Sequence, residues 1–436
     1  MVICANEATA RLPCPHLNAD MNRADTAPSP PRAIASVILS MGLLAVGNGL
    51  LFAYIPVKLA EAGFPPWVAG AAVTAMAAGG LVACLVTGLG VRRVGHARAF
   101  GAMTACVILS VLLISLGTLP VVWIVARALY GFAATGLFII SQSWLNDACA
   151  NQWRGKVIAI FYMVYVLCIG VGGFLLRYLP LEGSAIPLTG IFFATLALLP
   201  VSLTRLPAPP PPASITIAVR SVWNISPVGL VGMFAVGGLT MLLQGFGPIY
   251  VSEAGYSKAD VGLLIFLMQL GLLVVQYPLG ALSDRIDRRV VLVVSCTLVV
   301  LTALLAYNTD TSQFVLLIIV FAAWTGATES LYSVSNAHAN DRADPQYYVS
   351  LSSTLLVAWS LSALIIPAIT TALIPVFGSD VFMLLSVALA SGYGVFVLYR
   401  MRHRDPPLPE DTGEYQQVSA QVPLTSELAV PGDDPH

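Results

Sequence analysis

Two ionisable side chains lie alone inside long apolar stretches of the sequence. Glu329 is the only acidic residue deep in such a stretch, within residues 313–337, and Arg127 is the only basic one, within residues 121–145. In an apolar medium a carboxyl group favours its protonated form, so a change in solvent access lets it take up or release a proton. An ionised group there needs water or a partner. Both residues are therefore candidates for functional charges, and proton exchange is the chemistry that Glu329 offers.

Each of these residues also has a structural alternative. Glu329 could stay protonated and form hydrogen bonds with Thr325, one turn before it, or with Ser333, one turn after it. Arg127 lies about six residues, roughly 9 Å, from the end of its stretch, so its side chain could reach the surface. Glu329 lies roughly 24 Å from the same surface. This difference in depth predicts that Arg127 and Glu329 do not form a direct ion pair.

The densest cluster of charge lies in residues 280–289, with the sequence GALSDRIDRR, between the apolar runs 261–283 and 290–307. So short a turn makes the two runs antiparallel neighbours. A diverged copy at residues 88–98 also follows one apolar run and precedes another, which predicts an internal duplication. The copy lacks the acid, because Arg92 stands at the position of Asp284.

The composition excludes a soluble globular protein. Of the 436 residues, 57% are hydrophobic and 10% are charged, and the mean hydropathy is +0.83. Soluble domains carry about 25% charged residues. No soluble core could bury this much apolar surface, so the surrounding medium must be a lipid bilayer.

Composition and motifs also exclude several function classes. The net charge of −1 argues against nucleic acid as a partner. The seven cysteines form no C-x-x-C pair and have no histidine at zinc-binding spacing, so no metal site and no cofactor are expected. The sequence contains no phosphate-binding loop, G-x-S-x-G or H-E-x-x-H motif. We therefore expect neither an enzyme nor a protein driven by ATP.

The apolar runs predict an all-α integral membrane protein with twelve spans, because helices satisfy their own backbone hydrogen bonds in lipid. The predicted spans are 33–57, 68–91, 99–118, 121–145, 157–178, 187–204, 227–251, 261–283, 290–307, 313–337, 348–374 and 381–399. They form two six-helix pseudo-repeats, at residues 33–204 and 227–400.

Polar segments flank and separate these bundles. Residues 1–32 read as a disordered lead whose true start could be Met21. Residues 205–226 form a proline-rich linker, in which four consecutive prolines favour an extended spacer. Residues 401–436 form an acidic tail that is expected to be disordered. Most Lys and Arg residues fall in the loops on the side of both termini, which predicts that both termini are cytoplasmic.

Three stretches carry a family resemblance. Six plus six helices with a G-x-x-x-D-R-x-x-R-R loop between helices 8 and 9 resemble the major facilitator superfamily. The sequence SQSWLND at residues 141–147, followed by NQWRGKVIAI from Asn151, resembles its bacterial YcaD-like branch, as does AHANDR at residues 337–342. The resemblance implies a secondary transporter whose substrate is undefined in that branch.

The resemblance assigns the loop charges to a cytoplasmic gate between the two halves. Asp284 is expected to approach the start of helix 5 near Arg154, while Arg288 or Arg289 reaches Asp341. The alternative is that these charges only set topology. The complete set of candidate gate residues is Asp284, Arg285, Arg288, Arg289, Arg92, Arg93, Asp147, Arg154, Asp341 and Arg342.

The resemblance also places polar residues in a central cavity. Arg127 and Gly131 match the R-x-x-x-G signature of helix 4, whose arginine handles substrate or protons. Gln142 stands where the branch usually has an acid, and an amide cannot release a proton, so any coupling role of that position is lost or has moved, and Glu329 is the only intramembrane replacement. The candidate cavity and coupling residues are Arg127, Glu329, Gln142, Tyr130, Asn48, Gln244 and Tyr332.

The predicted function is therefore proton-coupled transport of a small organic solute across the inner membrane by alternating access, with export as the favoured direction, by a monomer. Uncoupled or import-direction transport of a metabolite is one alternative. A membrane sensor or partner-binding protein on the same fold is another, in which the acidic tail would be the working part.

Overall fold

The computed structural model describes residues 31–116, 119–149, 151–204 and 217–403. The predicted lead, most of the predicted linker and nearly all of the predicted tail lie outside these ranges. Within them the chain forms helices and no strand, and twelve helices are long and apolar enough to cross a membrane. The predicted fold class and number of spans are confirmed.

The spanning helices are numbered in chain order: α1 Arg32–Glu61, α2 Pro66–Val94, α3 His96–Leu116, α4 Pro120–Asn146, α5 Trp153–Tyr178, α6 Ala185–Leu203, α7 Pro227–Glu253, α8 Lys258–Ser283, α9 Arg288–Asn308, α10 Phe314–Asn340, α11 Ser350–Phe377 and α12 Val381–Met401. Several of them extend past the apolar runs that predicted them. In α1 the extra turn carries an ion pair of 2.7 Å between Lys58 and Glu61. The helix continues past the apolar run because its hydrogen bonds join backbone groups, whether the side chains are apolar or polar.

Local signals explain where several helices begin and end. The side chain of Ser257 accepts a hydrogen bond from the backbone N–H of Asp260, and the Asp260 carboxylate accepts one from the backbone N–H of Ser257, so a capping box starts α8. Asp287 caps α9 in the same way, by accepting from the backbone N–H of Arg289. Between α2 and α3 a single residue turns the chain, and it is Gly95 at φ +81°, a conformation that glycine adopts without strain.

The second half repeats the helix packing of the first half, with each helix number increased by six. In the first half α2 packs on α4 and α1 on α5, and in the second half α8 packs on α10 and α7 on α11. Contacts between the halves run mainly through α2 with α11 and α5 with α8. Before the second half, residues Val219–Ile225 at the end of the predicted linker form a short helix.

The bundle has two ends that differ in charge. We call "the basic end" the one that carries the loops α2–α3, α4–α5, α8–α9 and α10–α11, and the other one "the opposite end". At the opposite end the Nζ of Lys258, at the start of α8, donates to the carbonyl oxygen of Leu179, after α5. This contact joins the two halves at the end where basic residues are few.

Candidate functional site

Arg127 is buried inside α4, with only 3% of the residue exposed. Its guanidinium lies over the ring of Phe52 at 5.4 Å and the ring of Tyr130 at 5.1 Å. Nη2 donates to the sulfur of Met76, and Nη1 makes no hydrogen bond in the described part of the chain. The head group does not reach the surface, so the alternative of a side chain extended toward the surface does not describe Arg127.

Gly131 explains how Arg127 comes to face α2. A Cβ at Gly131 would lie 2.0 Å from the backbone oxygen of Met76, so only glycine allows α2 and α4 to come this close. Arg127 lies one turn earlier on the same face of α4. The close approach therefore brings the guanidinium against the Met76 side chain. The R-x-x-x-G spacing in the sequence reflects this packing.

A cavity lies beside Arg127 and is lined from both halves of the protein. It holds about 600 Å³ of space, counting the part open to solvent. The lining residues are Asn48, Phe52, Met76, Ala134, Thr135, Phe138, Tyr165, Ile169, Met241 and Gln244. Two of them, Phe52 and Met76, also contact the guanidinium. The cavity wall is mostly apolar and aromatic, with an amide at two places, as is usual for sites that bind small organic molecules.

Gln244 reaches this cavity from an irregular part of α7. Residues Leu242–Phe246 form a π-helical turn, and such turns are frequent at functional sites. Gln269 of α8 donates to Oε1 of Gln244 at 3.3 Å, while Nε2 of Gln244 has no partner in the described structure. Oδ1 of Asn48, which also lines the cavity, is unpaired among the described residues. The π turn was not predicted, since hydropathy does not distinguish it from an α turn.

Glu329 lies in a different polar cluster, at the middle of α10, and is 1% exposed. The hydroxyl of Thr325 donates to the carbonyl oxygen of Phe321. The hydroxyl of Ser333 accepts from Gln276 of α8 at 2.6 Å and lies 3.4 Å from the backbone oxygen of Glu329. Glu329 is therefore enclosed by protein, and it is not among the residues that line the cavity beside Arg127.

Tyr162 of α5 is hydrogen-bonded to Gln142 and lies within electrostatic range of Glu329, and sequence analysis did not identify it. Gln142 of α4 donates to the hydroxyl of Tyr162 at 2.8 Å. The Glu329 carboxyl and the Tyr332 hydroxyl, both on α10, interact electrostatically with the same phenol. Residues from the two halves thus meet at one tyrosine. Its only signal in the sequence is an aromatic residue among many in the run FYMVY.

Two arginines at the start of α9, Arg288 and Arg289, pair with acids within the second half. Nε of Arg288 lies 2.8 Å from Oδ2 of Asp341, and both side chains are 4% exposed. The N–H does not point along this line, so the contact is a close ion pair rather than a linear hydrogen bond. Arg289 instead binds Asp287, with Nη2 at 2.7 Å from Oδ2. The expected contact of the loop with Asp341 is therefore made by Arg288.

Asp284 lies near Arg288 of its own half, whereas the sequence predicted that it approaches the start of α5. Its Oδ1 lies 4.0 Å from Nη2 of Arg288, and its side chain is 39% exposed. Near the start of α5, Lys156 lies over the ring of Trp153. Other parts of the predicted gate lie nearby: Arg285 is exposed, and Arg342 lines a small space together with Arg289, His338 and Arg400.

The α2–α3 loop of the first half has a different contact. Arg92 and Arg93 are exposed, and the side chain of Asp147 lies outside the described residues. Nε2 of His96, the first residue of α3, lies 3.0 Å from the hydroxyl of Ser143 near the end of α4. In the first half a neutral hydrogen bond therefore links α3 and α4. At the matching place in the second half, an ion pair links α9 and the end of α10. Sequence analysis missed this contact, because a single histidine carries no pattern.

Comparison with known proteins agrees with this architecture. The Major Facilitator Superfamily model matches residues 37–258 and 228–431. The chain is 24% identical to the "Uncharacterized MFS-type transporter YcaD" of Escherichia fergusonii and 25% identical to an "Uncharacterized MFS-type transporter" of Yersinia pestis. Each match covers 86% of this chain and 98% of the relative. The resemblance inferred from the sequence motifs is confirmed.

Two solved structures share the fold. The nucleoside transporter NupG matches with a TM-score of 0.68 at 11% identity. The human organic anion transporter MFSD10 matches with a TM-score of 0.55 at 17% identity. Each match covers 85% of this chain and 100% of the other. At such identities the likeness shows the fold alone.

Proposed function

Because this chain belongs to the Major Facilitator Superfamily, and is therefore a multi-pass transporter of the bacterial inner membrane, we propose that it exports a small organic solute in exchange for protons. The observation that carries the proposal is that Tyr162 of the first half accepts a hydrogen bond from Gln142 and interacts electrostatically with Glu329 of the second half. The two solved relatives are named for a nucleoside and for an organic anion. Both cargoes are small organic solutes.

Glu329 is suited to couple solute movement to protons because of where it lies. It is an acid within a span, and its carboxyl interacts with a tyrosine of the other half. When the halves move apart on one side, water reaches the carboxyl and changes the cost of its charge. The protonated and ionised forms then favour different arrangements of the two halves. This is the differential interaction that a coupling group requires.

The ion pairs at the basic end support a gate function for the α8–α9 loop. Arg288 and Asp341 fix this loop to the end of α10, while Arg289 and Asp287 hold the start of α9. A rigid loop can carry the remaining charges of the gate, Asp284 and Arg285, to the first half when the halves close. In the proposed orientation both termini and this gate lie in the cytoplasm.

Transport by purified protein in liposomes tests the coupling. The solute is first found by screening metabolites and drugs for thermal stabilisation of the full-length protein. Glu329→Gln should abolish flux driven by a pH gradient and keep solute exchange at equal pH, because the amide preserves the shape but cannot ionise. The matched control is Glu61→Gln, which changes an exposed acid at the opposite end.

Three results would count against the proposal. Flux of Glu329→Gln that still follows the pH gradient would remove proton coupling through this residue. Solute accumulation only in the direction of import, in liposomes of known orientation, would reverse the proposed direction. Absence of any exchange in the wild type would remove the transport function.

A further inference from the structure

We propose that the solute is an organic monoanion, whose carboxylate-type group binds Arg127 and whose opposite, polar end binds Asn48 and Gln244. The inference rests on the transport function proposed above and names the chemical class of its solute. It starts from a charge that the described structure leaves without a counterion.

The environment of Arg127 lacks an acid. In the described part of the chain no carboxylate forms an ion pair with it, and the intramembrane acid Glu329 interacts with Tyr162 instead. Two aromatic faces and one thioether contact the guanidinium. A thioether is a weak acceptor, and ring faces only partly replace the water that a buried guanidinium loses. A bound anion would complete the site.

The route from the cavity to Arg127 leads past Met76. Met76 lines the cavity and also accepts the Nη2 hydrogen bond. Methionine has a flexible, unbranched side chain, so it can move aside without shifting a helix. Nη1 is already unpaired. A carboxylate in place of the sulfur would therefore meet two N–H groups side by side, which is the geometry that guanidinium groups bind best.

The other lining residues of the cavity restrict the chemical structure of the solute beyond its carboxylate. Between its ends the wall presents apolar groups such as Phe138, Ile169 and Met241. At the side of α1 and α7, the unpaired Oδ1 of Asn48 and the unpaired Nε2 of Gln244 can accept and donate one hydrogen bond. None of the lining residues is a cation, so Arg127 beside the cavity supplies the positive charge. An apolar body with one negative charge and one neutral polar group fits this arrangement, whereas a polyanion does not.

Matched pairs of acids and amides test the inference without a transport assay. The probes are benzoate, 4-hydroxybenzoate and hexanoate, each compared with its own amide, and the readout is the melting temperature of the purified full-length protein. We expect at least one acid to raise the melting temperature by a few degrees at saturating concentration, and its amide to have no effect. Charge is then the property that the site recognises.

Variants locate the binding to Arg127. Arg127→Gln should remove the stabilisation by the acid. Arg127→Lys keeps the charge but loses the paired donors, and should weaken the apparent affinity about 10-fold. The control is Arg177→Gln, since Arg177 also lies over two aromatic rings, those of Phe174 and Tyr178, but on the surface. It should leave the stabilisation unchanged.

The outcomes separate this inference from the transport proposal. Equal stabilisation by acids and amides, no stabilisation by any acid, or an unchanged effect in a folded Arg127→Gln protein would each overturn the monoanion site. If Arg127→Gln does not fold, the acid–amide comparison on the wild type and the affinity of Arg127→Lys still decide. Acid binding without any flux would overturn the transport function and leave the site standing. If the protein transports a neutral solute and Arg127→Gln still transports it, the monoanion site is overturned and the transport function stands.

Discussion

Nε of Arg288 lies 2.8 Å from Oδ2 of Asp341, and the two side chains are equally buried, at 4% exposure. The pair connects the first residue of α9 with the residue that follows α10. In the first half the first residue of α3, His96, contacts Ser143 near the end of α4. The duplicated halves thus keep the same link between helices, but one link carries charge and the other does not.

Breaking the charged link should be costly for stability. Asp341→Asn removes the nearer and more buried of the two carboxylates around the guanidinium of Arg288, and removing one member of a buried pair costs about 3–5 kcal/mol. Arg285→Gln, at an exposed position of the same loop, should change stability by about 0.5 kcal/mol or less. Chemical unfolding in detergent measures both. A similar small loss for the two variants would show that the pair does not stabilise the loop.

The pair of Asp287 and Arg289 should make stability depend on pH in the acid range. Partial burial alone would raise the pKa of Asp287, but hydrogen bonds from the Arg289 side chain and backbone outweigh it and hold this pKa below its ordinary value of 3.8. The stabilisation is therefore complete above about pH 4 and is lost as the pH falls through the lower folded-state pKa.

Asp287→Asn tests this pH dependence, because Asn caps a helix nearly as well as Asp but carries no charge. The melting temperature of the variant should fall less than that of the wild type between pH 5 and pH 3. Parallel curves for the two proteins would contradict the assigned pKa.

An acid introduced at Gln142 should restore proton coupling in a protein that lacks the carboxyl group of Glu329. Gln142 already donates to the Tyr162 hydroxyl, with which Glu329 also interacts. In the Glu329→Gln background, Gln142→Glu returns one titratable group to the same phenol from α4. We expect flux driven by a pH gradient to recover at least partly in liposomes. Tyr162→Phe should prevent the rescue, and recovery that persists without the hydroxyl would show that Tyr162 is not the connection.

The opposite end should open when small residues between α5 and α8 are enlarged. A Cβ at Gly262 would lie 2.4 Å from the backbone oxygen of Gly173, so Gly262→Ala must push the two helices apart. Gly101→Ala is the control, since a Cβ there meets nothing within 4 Å.

Cross-linking measures this separation. Leu179→Cys and Lys258→Cys place thiols at two residues that are in contact, in a protein whose seven native cysteines have been replaced. The yield of cross-linked protein should fall several-fold with Gly262→Ala and stay unchanged with Gly101→Ala. An unchanged yield in both would mean that the helices absorb the methyl group without separating.

Hydropathy and charge by themselves determined the fold of this protein. A run of about twenty apolar residues has one stable form in lipid, a helix, so the number of spans could be counted without coordinates. The acid at Asp284 and its absence at Arg92 likewise predicted that the two loops differ. These features depend on residues near each other in the chain.

The tertiary structure alone decided which side chains meet. Tyr162 lies far from Glu329 in sequence, and only the tertiary structure brings the two side chains within electrostatic range of each other. The charge of Arg127 is visible in the sequence, but only the fold shows that the described residues around it, on α1 and α2, offer an aromatic ring and a thioether and no acid. Contacts between helices depend on side-chain shape across many turns, and an apolar pattern carries no information about that shape.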